Sequence, residues 1–129
     1  MNILLAEDDS INQKLFEAMI TKLGHQVEIA ENGLLAVEKF KQKVYDLVFM
    51  DISMPVMCGL DASKEIRKFE ESINAKCRVK IVAFTTNTMP GFQSICYNAG
   101  MDNMLVKPIT KTTLENFINS LQFHQLQFD

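Results

Sequence analysis

The sequence predicts an α/β fold in which five βα units build one parallel sheet, with helices on both of its faces. Short apolar runs alternate along the chain with longer segments of helical period, a pattern typical of repeated βα units. Four of the five runs lack the polar–apolar alternation of a half-exposed strand, so we expect those strands to be buried on both faces. The 129 residues are of single-domain size.

The apolar runs predict five strands. They are residues 3–6, 26–30, 47–50, 79–84 and 103–106. The third run, in YDLVFMD, ends directly before Asp51, a carboxylate that needs a partner or water.

Apolar stripes at helical spacing predict the helices between these strands. The stripes are Ile11, Leu15, Met19 and Leu23 for the first helix, Gly33, Ala36, Val37 and Phe40 for the second, Ala62, Ile66 and Phe69 for the third, and Leu114, Phe117, Ile118 and Leu121 for the fifth. Ser10 and Gln13 form a candidate capping box at the start of the first helix, and Gly24 ends it.

The fourth helix is predicted to begin near Met89 and Pro90, with the proline in its first turn, and to end before Gly100. Its residues Phe92 and Ile95 share a helical stripe with Cys96 and Ala99, which favours a place in the core over an interface. The alternative is an interface with a partner, for which Phe92, Ile95 and their neighbours are the candidate residues.

The predicted domain covers residues 1–122. Residues 123–129 form an apolar tail or the start of a linker, because Phe123, Leu126 and Phe128 are unusually apolar for a chain end. This tail is expected to cover a face of the domain, to join a dimer or to continue into a further domain.

Charge and cysteine content exclude several classes of protein. The 13 Lys and Arg residues against 16 Asp and Glu give a net charge of −3, which predicts no direct contact with nucleic acid or an anionic membrane surface. No signal peptide or membrane-spanning run is visible, so we expect a cytoplasmic protein without membrane insertion. The three cysteines lack CxxC spacing, which argues against a disulfide framework and a zinc site.

Polar residues follow four of the five predicted strands. They are Glu7, Asp8 and Asp9 after the first, Asp51 after the third, Thr85 and Thr86 after the fourth, and Lys107 after the fifth. Because ligands of open α/β sheets bind beyond the carboxyl ends of the strands, we expect these side chains to form one site.

The residue types favour a metal ion and a phosphoryl group. Clustered carboxylates raise one another's pKa, so Glu7, Asp8 and Asp51 make physical sense together chiefly if they share a cation. Oxygen ligands without nearby His or Cys favour Mg²⁺, which is held by a few carboxylates together with phosphate oxygens. Lys107 and Thr85 would then bind the phosphoryl oxygens.

Each residue taken alone also has a purely structural interpretation. The acids at residues 7–9 suit a helix N-terminus, where Asp9 and Ser10 are capping candidates. Asp51, Thr85 and Thr86 suit turns or caps, and Lys107 suits a solvated surface. Their coincidence at one edge of one sheet is what favours a functional site.

Four motifs in order resemble the response regulator receiver domain over nearly the whole chain. The motifs are ILLAEDDSINQ, YDLVFMDISMP, IVAFTTN and GMDNMLVKPI. The details SINQ, FTTN and GMDNMLVKPI are most similar to receivers carried by hybrid sensor histidine kinases. The resemblance implies a flavodoxin-like doubly wound sheet with strand order 2-1-3-4-5 and a magnesium-dependent phosphoacceptor.

The resemblance also implies the roles of the acidic residues. Asp51 would take a phosphoryl group from a phosphohistidine on a histidine kinase or histidine phosphotransfer domain. Asp8 would bind Mg²⁺ directly and Glu7 would bind it through water. Asp51 and the backbone carbonyl of Ser53 would complete the protein ligands. Mn²⁺ would be a substitute for Mg²⁺. The same groups would position water for hydrolysis, so the resemblance implies a protein that would catalyse its own phosphorylation and dephosphorylation without being a conventional turnover enzyme.

Further roles concern the phosphoryl oxygens and the switch. Thr85 and Lys107 would each hold a phosphoryl oxygen, Thr86 would lie beside them, and the bond from Lys107 to Pro108 would be cis. Thr85 and Met104 would move on phosphorylation, and the fourth helix, fifth strand and fifth helix would repack toward an output domain or effector, or a second copy of the chain.

Three positions depart from the family pattern. Met104 stands where the family commonly has Tyr or Phe, which puts an aromatic switch in question. Thr86 replaces a usually small residue, so access to the phosphate or its lifetime is expected to differ. Cys58 replaces a common Asp, with little expected effect.

Other classes of function make different demands. A haloacid dehalogenase-like phosphatase would also use a nucleophilic Asp after a strand, but it wants a second acid two residues on, where this chain has Ser53. A nucleotide- or flavin-binding module would want a Gly- or Ser/Thr-rich loop after the first strand, where this chain has EDD. A receiver fold used only as a protein-binding module is the third alternative.

Overall fold

The computed structural model describes the backbone of residues 1–128 and the side chains of residues 1–121. Its five strands pair in parallel in the order β2-β1-β3-β4-β5. They are β1 (Asn2–Ala6), β2 (Gln26–Ala30), β3 (Leu47–Asp51), β4 (Lys80–Thr85) and β5 (Asn103–Val106). The predicted α/β fold and strand order are therefore confirmed, and both Asp51 and Thr85 are the last residues of their strands rather than the residues that follow.

Five helices connect and follow the strands. They are α1 (Ser10–Lys22), α2 (Gly33–Gln42), α3 (Gly59–Ser72), α4 (Phe92–Asn98) and α5 (Lys111–Phe128). The side chains of the predicted tail, residues 123–129, lie outside the described residues. Within the part of the chain that is described, no helix combines the length and apolarity needed to cross a membrane.

Two apolar cores cover the two faces of the sheet. One contains side chains of α1 and α5 packed on Phe49 and Phe84, and the other contains side chains of α2, α3 and α4 packed on Val48 and Met50. The strand β3 is buried along its whole length, as its continuous apolar run predicts. The rings of Phe49 and Phe84 stack with their centroids 5.0 Å apart, directly below the carboxyl ends of β3 and β4.

The predicted apolar face of α1 is wrong in its first half. Ile11 is 73% exposed and Leu15 is 52% exposed, whereas the buried residues of the helix are Phe16, Met19 and Ile20. A stripe of strict i, i+4 spacing drifts around an α-helix by about 40° per step, so its two ends cannot face the same sheet. The helix packs on the sheet through Phe16, Met19 and Ile20, whereas Ile11 and Leu15 meet solvent.

The predicted capping box at Ser10 and Gln13 is also wrong. The N-cap is Asp9, whose carboxylate accepts a hydrogen bond from the backbone N–H of Ile11 at 3.4 Å. Because Ser10 is already inside the helix, Gln13 lies one position too far along to reach back to the cap. Its amide nitrogen instead donates to the backbone carbonyl of Glu7 at 2.6 Å.

Helix α4 begins at Phe92, after the predicted start at Met89 and Pro90. The N–H of Met89 is held by the side chain of Asn87 at 2.9 Å, and the N-cap Gly91 has a left-handed φ of 90°. Both features form a turn that ends two residues after the predicted helix start. Ile95, expected in the core, is 52% exposed, while Cys96 and Ala99 are buried.

A polar network at the opposite end of the sheet was not apparent from the sequence. The guanidinium of Arg67 pairs with Glu70 at 2.7 Å and with Asp102 at 2.8 Å, and it also donates to the carbonyls of Val79 and Gly100. The network joins α3 to Val79, directly before β4, and to the loop before β5.

Candidate functional site

The carboxyl ends of β1, β3, β4 and β5 surround a cleft of about 250 Å³. In this strand order, β1 and β3 are neighbours whose following connections leave in opposite directions, which opens a crevice between the loops. The lining residues are Glu7, Asp8, Asp9, Asn12, Asp51, Ile52, Ser53, Thr85, Thr86 and Lys107. The structure therefore brings together every side chain that the sequence predicted for this edge.

Three carboxylates dominate the cleft. Glu7, Asp8 and Asp51 each offer one oxygen, and these atoms all lie within 4.8 Å of one another. Asp51 and Glu7 are buried, while Asp8 is exposed at the mouth. Like charges this close repel strongly where water is excluded, so the cluster requires neutralisation by a proton or a cation.

Glu7 shows that requirement most clearly. Its side chain is fully buried, and neither carboxylate oxygen has a hydrogen-bond partner among the described residues. Burial, together with the neighbouring Asp51, raises the pKa of Glu7 from 4.5 to about 8, against the opposing effect of Lys107. At neutral pH Glu7 is therefore mostly protonated unless another cation stabilises the carboxylate.

Lys107 supplies one positive charge from the residue after β5. Its ammonium nitrogen lies 3.0 Å from Oδ2 of Asp51 and 3.9 Å from Oε1 of Glu7. The backbone holds this residue in place, because the N–H of Lys107 donates to the carbonyl of Thr85 at 2.7 Å. The peptide bond from Lys107 to Pro108 is cis.

Two threonines follow one another at the end of β4. Thr85 is buried, and its Oγ1 accepts a hydrogen bond from the backbone N–H of Asn87 at 2.9 Å, which leaves the hydroxyl hydrogen available to donate. Thr86 is exposed and lines the cleft. Met104 is half-buried and packs on the core formed with α2, α3 and α4, beside Ala83 in the sheet register.

The loop after Asp51 is held by close backbone contacts. A Cβ on Gly59 would lie 2.2 Å from the carbonyl oxygen of Asp51, and a Cβ on Gly33 would lie 2.3 Å from that of Met57, so only glycine fits at either position. Within the loop Val56 has φ of 70°, a strained value for a β-branched residue. These contacts fix the loop that carries Ser53, whose N–H donates to Oδ1 of Asp51 at 3.3 Å.

The donor set of the cleft fits a hard divalent cation. Its grouped potential ligands are carboxylate oxygens, which Mg²⁺ prefers, and one of them belongs to the buried Glu7, whose oxygens have no hydrogen-bond partner among the described residues. Among the residues described, Glu7, Asp8 and Asp51 are the sole group of three potential metal ligands brought this close.

Sequence reasoning missed two contributors to the site. Asn12 lines the cleft from the first turn of α1, and Gln13 reaches back to the chain at Glu7. Both belong to the motif SINQ, but the motif does not give their contacts, because these depend on how α1 leaves the sheet. Cys58 is the N-cap of α3 and makes no side-chain capping bond.

Comparisons with known proteins agree with this geometry. Residues 3–119 match the family model described as the response regulator receiver domain. The chain is 45% identical over 121 residues to hybrid signal transduction histidine kinase G of Dictyostelium discoideum, covering 92% of this chain and 3% of that protein. It is 36% identical to histidine kinase 5 of Arabidopsis thaliana, covering 84% of this chain and 14% of that protein.

Two solved structures are similar in fold and sequence. The receiver domain of sensor histidine kinase PA1611 from Pseudomonas aeruginosa, solved with a magnesium ion in its active-site cleft, has a TM-score of 0.81 and 36% identity, covering 92% of this chain and 94% of that one. The receiver domain of Ssk1 from Saccharomyces cerevisiae, solved with the histidine phosphotransfer protein Ypd1, has a TM-score of 0.85 and 30% identity, covering 89% and 83%.

Proposed function

The chain belongs to the response regulator receiver family, and from that premise we propose that Asp51 accepts a phosphoryl group in a two-component phosphorelay. The observation that carries the proposal is the cluster of Asp51 with Glu7, Asp8 and Lys107 in one cleft. Asp51 is the buried carboxylate at the end of the central strand, and it accepts a hydrogen bond from the Lys107 ammonium. The chain spans only 3% and 14% of the length of the two curated relatives named above. A role in a two-component phosphorelay is therefore a proposal for this chain.

The donor is a phosphohistidine on a histidine kinase or a histidine phosphotransfer domain. An Asp51 oxygen forms a bond to phosphorus as the nitrogen–phosphorus bond breaks, and the imidazole leaves with the electron pair of that bond. The Lys107 ammonium exchanges its contact with Asp51 for one with a phosphoryl oxygen. The Thr85 hydroxyl donates a hydrogen bond to a second phosphoryl oxygen. Thr86 is exposed and lines the cleft, so we expect its size to affect access to the phosphoryl group or the lifetime of that group.

Mg²⁺ fits as the resident cation, with Mn²⁺ as a substitute. Asp8, Asp51 and the carbonyl of Ser53 would hold it directly and Glu7 through water. When bound, it supplies positive charge that offsets the charge of the phosphoryl oxygens. For hydrolysis, Lys107 and Thr85 hold the phosphoryl oxygens while water attacks phosphorus, the Asp51–phosphorus bond breaks, and inorganic phosphate leaves.

We propose that phosphorylation switches the face formed by α4, β5 and α5. A phosphoryl group can shift the conformation only if one state binds it better, and Thr85 is the group whose approach would make that difference. Met104 and β5 lie beside the strand that ends in Thr85, so a movement of Thr85 is transmitted to them. Exposed apolar residues on this face, including Ile95 and Val106, suit contact with an output domain, an effector or a second copy.

We also propose a cytoplasmic location. The three cysteines, Cys58, Cys77 and Cys96, are all free thiols, as expected in a reducing compartment.

The experiment that tests the function is incubation with acetyl phosphate, followed by intact mass measurement. We expect a phosphoryl adduct on the wild-type chain in Mg²⁺, none in excess EDTA, and none on Asp51→Asn. An adduct that forms equally without Mg²⁺ would contradict the proposal. Turnover of a small phosphate ester would instead favour the haloacid dehalogenase-like phosphatase, and a chain that is never phosphorylated would favour a protein-binding module.

A further inference from the structure

The side chain of Gln13 holds the short segment that carries Asp8. Strand β1 pairs with β3 only as far as Ala6, so the carbonyl of Glu7 lies beyond the last pairing of that ladder. The amide nitrogen of Gln13 donates to this carbonyl at 2.6 Å. A side chain of α1 thus takes the place that a neighbouring strand would otherwise fill.

The same residue also holds the other flank of Asp8. The backbone N–H of Gln13 donates to the carbonyl of Asp9 at 2.9 Å, while the N–H of Glu7 donates to Ala30 of β2 at 3.0 Å. Asp8 is exposed and lies between these two fixed peptides. The bond to Asp9 is the first backbone bond of α1 and does not depend on the side chain, so the contribution specific to glutamine is the bond to the residue before Asp8.

From this geometry we infer that Gln13 is a positioning residue for the cation site, acting through the backbone directly before Asp8. The inference rests on the proposed function, since it concerns how the same cleft takes up Mg²⁺. A ligand held in its bound position loses less conformational freedom on binding, so the bond from Gln13 to Glu7 favours metal binding without touching the metal. The whole net contribution of one neutral hydrogen bond corresponds to about fivefold in an equilibrium constant, which sets the largest effect on Mg²⁺ affinity that we expect from losing this bond.

The test compares Gln13→Met with the wild type. Methionine keeps the length of the side chain and removes the donor. Gln42→Met is the matched control, because Gln42 is an exposed residue at the end of α2, away from the cleft. Mg²⁺ affinity is measured by isothermal titration calorimetry, adduct formation from acetyl phosphate is followed at low and at saturating Mg²⁺, and stability is measured by urea unfolding in EDTA.

We expect Gln13→Met to weaken Mg²⁺ binding by between about twofold and about fivefold, to slow adduct formation at low Mg²⁺, and to recover the wild-type rate at saturating Mg²⁺. Gln42→Met should match the wild type throughout. If Gln13→Met lowers stability but leaves the Mg²⁺ affinity within about twofold of the wild type, the inference is wrong. Should Gln13→Met fail to fold, Gln13→Ala is titrated in the same way and judged by the same limits.

The proposed function fails separately. A wild-type chain that binds Mg²⁺ and forms no adduct would overturn the phosphoacceptor role, while the Mg²⁺ titrations of Gln13→Met would still decide the positioning role.

Discussion

Glu7 is the residue whose environment says most about the site. A fully buried carboxylate without a hydrogen-bond partner for either oxygen among the described residues costs several kcal/mol if it is charged, and the Lys107 ammonium at 3.9 Å offsets only part of that cost. The residue is therefore best explained by a ligand that the folded chain binds. The protonation state of Glu7 makes that explanation testable by pH.

We expect the metal-free chain to lose stability relative to Glu7→Gln as the pH rises. The pKa of Glu7 is raised in the folded state to about 8 from an ordinary 4.5. The stability that comes from protonated Glu7 is therefore fully present below about pH 4.5 and is lost as the pH rises through 8. At pH 8 we expect Glu7→Gln to be more stable by about 2–4 kcal/mol. Urea unfolding of both proteins in EDTA at pH 4.5, 6 and 8 measures the difference, and a difference that is independent of pH would contradict the assignment.

We expect Lys107→Ala to separate metal binding from phosphorylation. Removing a cation 3.0 Å from Asp51 should leave Mg²⁺ binding as tight as in the wild type or tighter, because the two cations repel each other. The rate of adduct formation should fall by about 100-fold, since a phosphoryl oxygen loses its partner. Calorimetry and mass measurement test both, with the exposed Lys111→Ala as control. Parallel losses in affinity and rate would contradict separate roles.

The sequence predicted the carboxylates, threonines and lysine of the site, but not the contacts of the helix residues Asn12 and Gln13 beside them. Asp51, Thr85 and Lys107 are detectable because each follows an apolar run, and the ends of parallel strands meet at one edge. The contacts of Asn12 and Gln13 are not detectable in this way, because they depend on the path of the loop between β1 and α1. That loop has no regular period from which its path can be inferred.

At the scale of the elements, burial decides how well the sequence predicts structure. Strand β3 is covered on both faces, so its apolar run leaves little freedom in its interpretation. Helix α4 has seven residues, of which only Cys96 is buried, and its start is set by the Asn87 turn and the left-handed Gly91 rather than by an apolar period. Helix α1 is intermediate, because its buried residues pack on the sheet whereas Ile11 and Leu15 are exposed.

The Arg67 network gives a prediction for α3. Arg67→Met should destabilise the fold by about 3 kcal/mol, because Glu70 and Asp102 would be left with less compensation for their partly buried charges. Lys68→Met is the matched control on the same helix, since the exposed Lys68 pairs with Glu65 at 3.4 Å and should contribute less than about 0.5 kcal/mol. Urea unfolding measures both, and equal effects would contradict the structural role of Arg67.

The network is also informative about what sequence patterns omit. Arg67 occupies a position that helical period alone assigns to a solvated face, yet its guanidinium donates to two carbonyls and two carboxylates. Such contacts join residues far apart in the chain, and no local pattern predicts them.

At the scale of the whole molecule, the strand order makes the site. Placing β1 beside β3 brings the acids of residues 7–8 next to Asp51, and placing β4 and β5 on the other side of β3 adds Thr85 and Lys107. The site therefore contains parts of four βα units, and no single unit holds all of it.

The proposed switch predicts where phosphorylation changes the protein. We expect hydrogen–deuterium exchange of α4 and β5 to change on phosphorylation in Mg²⁺, because β5 pairs with the strand that ends in Thr85 and α4 contacts β5. Exchange in β2, at the opposite edge of the sheet from β5, and in α2, the helix that follows β2, should be the same before and after phosphorylation within experimental error. Changes confined to β2 and α2 would contradict a switch through Thr85.

The most direct test of the central claim is the chemical identification of the phosphorylated residue. After treatment with acetyl phosphate and Mg²⁺, sodium borohydride reduces an aspartyl phosphate to homoserine, which tandem mass spectrometry locates in a peptide. The account predicts homoserine at position 51 in place of Asp51, and none in the sample without Mg²⁺. Homoserine at Asp8 or elsewhere instead of Asp51, or none at any position, would contradict it.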